Sequence, residues 1–209
     1  MLNFDLAKGA RKIVEVCANI KAGDKVLIIT DTATSPNISE ALAVAVKAID
    51  AEVNVLITSP GKKPGEEPNS VVASAMLAAD VILSPTIRTL YHTIATKKAL
   101  EKGARLIALT GVTDEVLISG GIDADFLALQ PMIKSTIEMF DKGNKVHVTT
   151  EAGTDLRLDI SGRPVYNCNG FCHNPGERIG VPDLEAFTAP IEDKTNGTLV
   201  VDASIAGLA

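Results

Sequence analysis

Three short stretches hold residue types that can do chemistry. The first is "SPTIRTLYHTIATKK", residues 84–98, which follows an apolar run and carries His92. An imidazole at the start of a helix is held neutral by the positive end of the helix dipole, and a neutral imidazole is a usable base. In the alternative reading Tyr91 packs while His92 caps the helix or hydrogen-bonds locally. The second stretch is "YNCNGFCHNPGE", residues 166–177, with Cys168, Cys172 and His173. Thiolates and imidazole suit zinc, but a structural zinc takes four ligands and no second cysteine pair is present. The Asn, Gly and Pro around these residues read equally as an ordinary loop. The third is "VPDLEAFTAP", residues 181–190, which sets Glu185 among apolar neighbours and between prolines. An ionised carboxylate in such surroundings is costly without a cation. A divalent metal would serve, and so would Arg178 or Arg163. Of the other acids of this half, Asp155, Asp159, Glu177, Asp183, Glu192 and Asp193 read as solvated loop and edge residues.

The elements that must position these groups follow from periodicity. Leu6, Ile13, Val14 and Cys17 recur at helical spacing over residues 4–20, and "KAGD" closes that helix. "KVLIITD" (25–31) and "EVNVLIT" (52–58) read as strands, and a helix lies between them with Ser35 as N-cap and Pro36 in its first turn. The alternation continues with a helix over 69–79, a strand over 80–85, a helix over 90–102 and a strand over 104–110. Strands alternating with helices of this length predict an α/β fold, a doubly wound and mostly parallel sheet. After a long helical stretch at 123–142 the period changes to two, in "KVHVTTEAGTDLRLDISGRP" and again in "GTLVVDASIAGLA". The expected organisation is therefore a Rossmann-like α/β domain over 1–143 and the start of a β-rich second domain over 144–209.

Composition narrows the function classes. Of the 209 residues 46% are apolar, enough for a sizeable core, but only 3% are aromatic, so that core is aliphatic. The net charge of −6, with basic residues scattered singly, argues against a nucleic-acid partner. No apolar run reaches bilayer-spanning length, and three cysteines fit a reducing cytoplasm better than a disulfide framework. Neither a GxGxxG loop nor a P-loop follows any strand, which removes the usual dinucleotide and nucleoside triphosphate sites.

"GTDLRLDISGRP" followed by "VPDLEAFTAPIEDKTNGTLVVD" resembles the joining region of the M29 (aminopeptidase T, thermophilic type) metallopeptidases, and "ARKIVEVCANIKAGDKVLIITD" looks like the start of that family. The resemblance implies a C-terminal β-rich domain holding two divalent metals, with Glu185 as a metal ligand. "ADVILSPTIRTLYHTIATKKALEKGARLIALTGVTDEVL" is similar instead to proteins related to 2,5-dihydroxypyridine 5,6-dioxygenase, mononuclear iron(II) ring-cleaving enzymes. In that branch a Ser-His-Thr segment contributes to the active site. Here it falls on Tyr91, His92 and Thr93, with tyrosine in place of serine.

Both relatives take most of their metal ligands from sequence beyond residue 209, so the chain resembles the N-terminal part of a longer enzyme, truncated within its catalytic domain. The leading expectation is a cytoplasmic metal-dependent aminopeptidase acting on small peptides through zinc, cobalt or manganese, inactive in this truncated form and a homodimer at full length. In it, metals would act as Lewis acids and activate a water. The alternative is iron(II)-dependent cleavage of a small aromatic ring, with His92 as base. A third is a non-catalytic α/β domain with a β-rich appendage, able to pair through an exposed apolar strand.

Overall fold

A computed structural model describes residues 4–203 and 205. They form two compact units, Met1–Phe126 with Cys168–Leu184, and Leu127–Asn167 with Glu185–Ala209. These differ from the consecutive segments 1–143 and 144–209, because the chain leaves the first unit and later returns to it.

The first unit is built on β1 (Lys25–Asp31), β2 (Glu52–Thr58), β3 (Val81–Ser84), β4 (Arg105–Ala108) and β8 (Arg178–Gly180), in the order β2-β1-β3-β4-β8. All four pairings are parallel. Because side chains alternate across a strand, β1 feeds two cores. Val26 and Ile28 pack with helices α1 (Leu6–Arg11), α2 (Pro36–Lys47) and α5 (Asp114–Ile118). Leu27 and Ile29 pack on the other face with α3 (Ser70–Met76) and α4 (Ile94–Glu101). Coverage of both faces explains why β1, β3 and β4 read as continuous apolar runs, and it establishes the doubly wound α/β architecture.

Several elements differ from their sequence expectation. The single helix expected over 4–20 is α1 continued by a π-helical segment, Lys12–Cys17, in which the Ala18 N–H bonds the Ile13 carbonyl. Apolar periodicity does not distinguish an i→i+5 turn from an α-turn. The larger difference is β8, which comes from sequence that reads as loop. Its three residues are too few for a periodic signal, and its Gly, Pro and Asn neighbours mask it. Helix α6 (Phe126–Lys142) opens the stretch that leads out of this unit.

In the second unit β5 (Lys145–Thr149), β6 (Asp155–Asp159) and β10 (Asn196–Thr198) form an antiparallel sheet in the order β10-β6-β5. Strands β7 (Tyr166–Cys168) and β9 (Glu185–Phe187) make a separate pair on which Tyr166 and Phe187 stack at 5.5 Å. The strand expected from "GTLVVDASIAGLA" covers only Gly197 and Thr198 of that stretch, and its end lies outside the described residues. No single helix among the described residues is long and apolar enough to cross a membrane.

Candidate functional site

His92 lies in the turn before α4, whose N-cap is Thr93: the Thr93 hydroxyl accepts the Thr96 N–H at 3.1 Å. The cap is therefore filled by threonine, and the imidazole is left exposed rather than used as a cap. Its ring meets Tyr91 edge-on at 4.9 Å. Tyr91 in turn is tied to β8 three ways. Its hydroxyl donates to the Arg178 carbonyl at 3.2 Å, its own carbonyl accepts from the Arg178 guanidinium at 2.7 Å, and that guanidinium lies 4.5 Å from the ring centre. Burial raises the Tyr91 phenol above its ordinary range, so it stays a neutral donor. Tyrosine at this position is thus a tether that fixes the turn bearing His92 to the sheet edge. His92, Lys97, Glu101 and Arg178 border an open recess of about 570 Å³.

A second recess, of about 310 Å³, opens at the carboxyl ends of β1 and β3. Asp31 ends β1 there and is only 3% exposed. One of its oxygens accepts the Ala33 and Thr34 N–H groups and the Thr34 hydroxyl, each at 3.0 Å, and the other accepts the Ile87 N–H at 2.7 Å. The loop after β1 and the loop after β3 are held together by this one carboxylate. Asp31 is not among the residues that type and spacing single out in the sequence. Its signal was an acid closing an apolar run just before a helix start.

Cys168 and Cys172 do not build a metal site. Their thiols donate to the Gly180 carbonyl at 3.4 Å and the Leu106 carbonyl at 3.6 Å, while His173 Nε2 donates to the Val16 carbonyl at 2.8 Å. Burial pushes the Cys172 thiol up to about 12, and it does the same to Cys17. The loop's role is structural. The π-helical segment ends with the carbonyls of Val16, Cys17 and Ala18 unpaired within the helix, and they accept from His173, from the Cys172 N–H at 2.7 Å and from the buried Arg105 guanidinium. Glu177 braces the same loop through the Asn174 side chain and the His173 and Asn174 amides. Burial pushes its carboxyl up, but those hydrogen bonds outweigh it and hold the group below the ordinary range.

Glu185 is exposed on β9, so the desolvation expected from its apolar neighbours is not incurred. Neither candidate arginine is its partner: Arg163 pairs with Glu192 at 2.6 Å, and Arg178 is held by Tyr91. Of the other acids, Asp155 bonds His147 and Arg157 at 2.8 Å each, and the His147 hydrogen bond leads in holding it below the ordinary range. Asp159 accepts from the Ser161 amide, and Asp183 and Asp193 are exposed. Among the described residues no three His, Cys, Asp or Glu side chains converge closely enough to hold a metal ion.

These features can be compared with known proteins. The family of 2,5-dihydroxypyridine 5,6-dioxygenase matches residues 5–206. A curated 2,5-dihydroxypyridine 5,6-dioxygenase of Pseudomonas putida is 26% identical over 137 residues, which are 64% of this chain and 37% of that protein. Among solved structures, 2,5-dihydroxypyridine dioxygenase from Pseudomonas putida KT2440 superposes with a TM-score of 0.74 at 19% identity, over 93% of this chain and 58% of the other. Wild-type AmpT from Thermus thermophilus superposes with a TM-score of 0.58 at 17% identity, over 92% of this chain and 63% of the other. At these identities the structural likeness shows the fold, and the aminopeptidase expectation has that support alone. The chain spans less than two thirds of each of these relatives, and the match that runs along nearly all of its own length places it in the 2,5-dihydroxypyridine 5,6-dioxygenase family.

Proposed function

We propose that the protein takes part in oxidative cleavage of a small hydroxylated nitrogen heteroaromatic ring, of the 2,5-dihydroxypyridine type, with His92 as the base that accepts a proton from a ring hydroxyl. The observation that carries this reading is the family match over residues 5–206, together with an exposed imidazole, edge-on to Tyr91, at the position of the Ser-His-Thr resemblance. The other two histidines are engaged, His147 with Asp155 and His173 with the Val16 carbonyl. Removal of the hydroxyl proton leaves a more electron-rich ring, which favours attack on oxygen. A base in this role contributes about 10²–10⁴ in rate. Thr93 and Tyr91 act through His92, the first by capping α4 and the second by fixing the turn.

A divalent metal, iron(II) for this chemistry, remains part of the reading. The described side chains do not assemble a set that fits one, and Glu185 offers a single exposed carboxylate. What this chain supplies is the base and the wall around it. Three buried cysteines, none of them in a disulfide, suit a cytoplasmic setting.

The test is the ultraviolet spectrum of 2,5-dihydroxypyridine bound to the protein, which reports loss of the ring hydroxyl proton, compared with release of chromophore from aminoacyl anilides. A bound ring that is deprotonated in the parent and stays protonated in His92→Gln, while still binding, supports the proposal. Anilide hydrolysis that depends on Glu185 and is indifferent to His92 would return the function to the peptidase class.

A further inference from the structure

The recess at the carboxyl ends of β1 and β3 lies where the sheet changes winding direction. The helix after β1, α2, packs on one face, and the helix after β3, α4, packs on the other. Diverging connections leave a crevice at such a point, and open α/β sheets bind ligands there. Its floor is apolar, with Ile29 and Val72 at 0% and 2% exposure.

The charges on its walls are unequally used. Of the acids, Asp31 is consumed by the loops it joins. Glu66 accepts the Lys62 N–H, and Glu67 accepts the Ile94 and Ala95 N–H groups at the start of α4. Each carboxylate is therefore neutralised in part by amide dipoles. The cations are not. Among the described residues, Lys62, Lys63 and Arg88 border the recess, exposed, and none of the three has a carboxylate within salt-bridge distance. Three like charges around one small crevice repel one another, and an anion between them reverses the sign of that interaction.

We propose that this recess is a binding site for a compact oxyanion, a carboxylate or phosphate borne on a small molecule. Arg88 supplies a planar fork for two oxygens, and Lys62 and Lys63 close over it as mobile point charges. A volume of about 310 Å³ sits at the lower end of ligand pockets, roughly 300–1,000 Å³, which suits a small acid rather than a dinucleotide. The site is separate from the His92 recess, which shares no lining residue with it.

Amide chemical shifts of the full chain, titrated with inorganic phosphate and with succinate against sodium chloride at matched ionic strength, test it. Saturable shifts at Gly61–Lys63 and Thr86–Arg88 are expected, with a Kd of about 1 mM or below. Arg88→Gln and the Lys62→Gln/Lys63→Gln pair should each weaken binding at least tenfold, whereas His92→Gln should leave it within twofold. Binding of phosphate alone identifies a phosphate ester as the ligand class, and binding of succinate alone a carboxylate. The proposal is overturned if neither anion saturates, or if Arg88→Gln binds as well as the parent. Neither result bears on ring cleavage.

Discussion

Single residues divide here into those the fold consumes and those it leaves free. Cys168, Cys172 and His173 have the types and spacing of a metal loop, yet each donates to a backbone carbonyl. A thiol buried in contact with a carbonyl is neither a ligand nor a nucleophile, because the thiolate would lose solvation and face an oxygen lone pair. We therefore expect native Cys17 and Cys172, both pushed up to about 12, to resist alkylation by iodoacetamide at pH 8. Their reaction should be at least a hundredfold slower than that of free cysteine and should recover fully in denaturant. Rapid modification of the folded chain at Cys172 would mean that the loop opens and that its structural assignment is wrong. His92 shows the converse. Threonine fills the cap beside it, so the imidazole remains available.

At the scale of elements, close packing decides what a sequence preference leaves ambiguous. Gly9 sits inside α1, where alanine is better by about 1 kcal/mol on propensity. A Cβ built there, however, would lie 2.2 Å from the Leu117 carbonyl oxygen of α5. That neighbour is backbone and cannot rotate away, so the steric effect wins. Gly9→Ala should lower stability by about 2 kcal/mol, measured by urea unfolding. A stabilised variant would show that α1 and α5 pack more loosely than the structure has them. Gly170 follows the same logic in the loop before β8. Its φ of +80° is unfavourable for other residues, and a Cβ would meet the Phe126 ring at 2.4 Å. These two contacts fix α5 against α1 and the Cys172 loop against Phe126.

At the scale of the whole molecule, the return of Cys168–Leu184 to the first unit governs its stability. Cys172, Ile179 and Val181 are buried in the same core as α1 and α2, and Arg105 of β4 bonds both the Ala18 and Cys172 carbonyls. Burying three such side chains stabilises the fold by roughly 5 kcal/mol. A chain ending at residue 143, the border that the change of periodicity suggests, would lose all of this and expose the edge of β4. Its Tm should fall by roughly 10 °C or more relative to the full chain. An unchanged Tm would make β8 peripheral and restore the consecutive division.

Much of the architecture was already determined by local pattern. The alternation of apolar runs with amphipathic segments specified β1 through β4 and the helices between them, because each element's periodicity is written within its own residues. The family likeness around His92 was legible for the same reason, being carried by contiguous motifs. Tertiary structure alone decided the rest. β8 is three residues long and becomes a strand only by pairing with β4. Asp31 becomes a clasp only when the loops after β1 and β3 come together. Glu185 reads as a costly buried acid from its neighbours, yet lies exposed on β9. Burial and pairing belong to distances across the fold, and no window of sequence contains them.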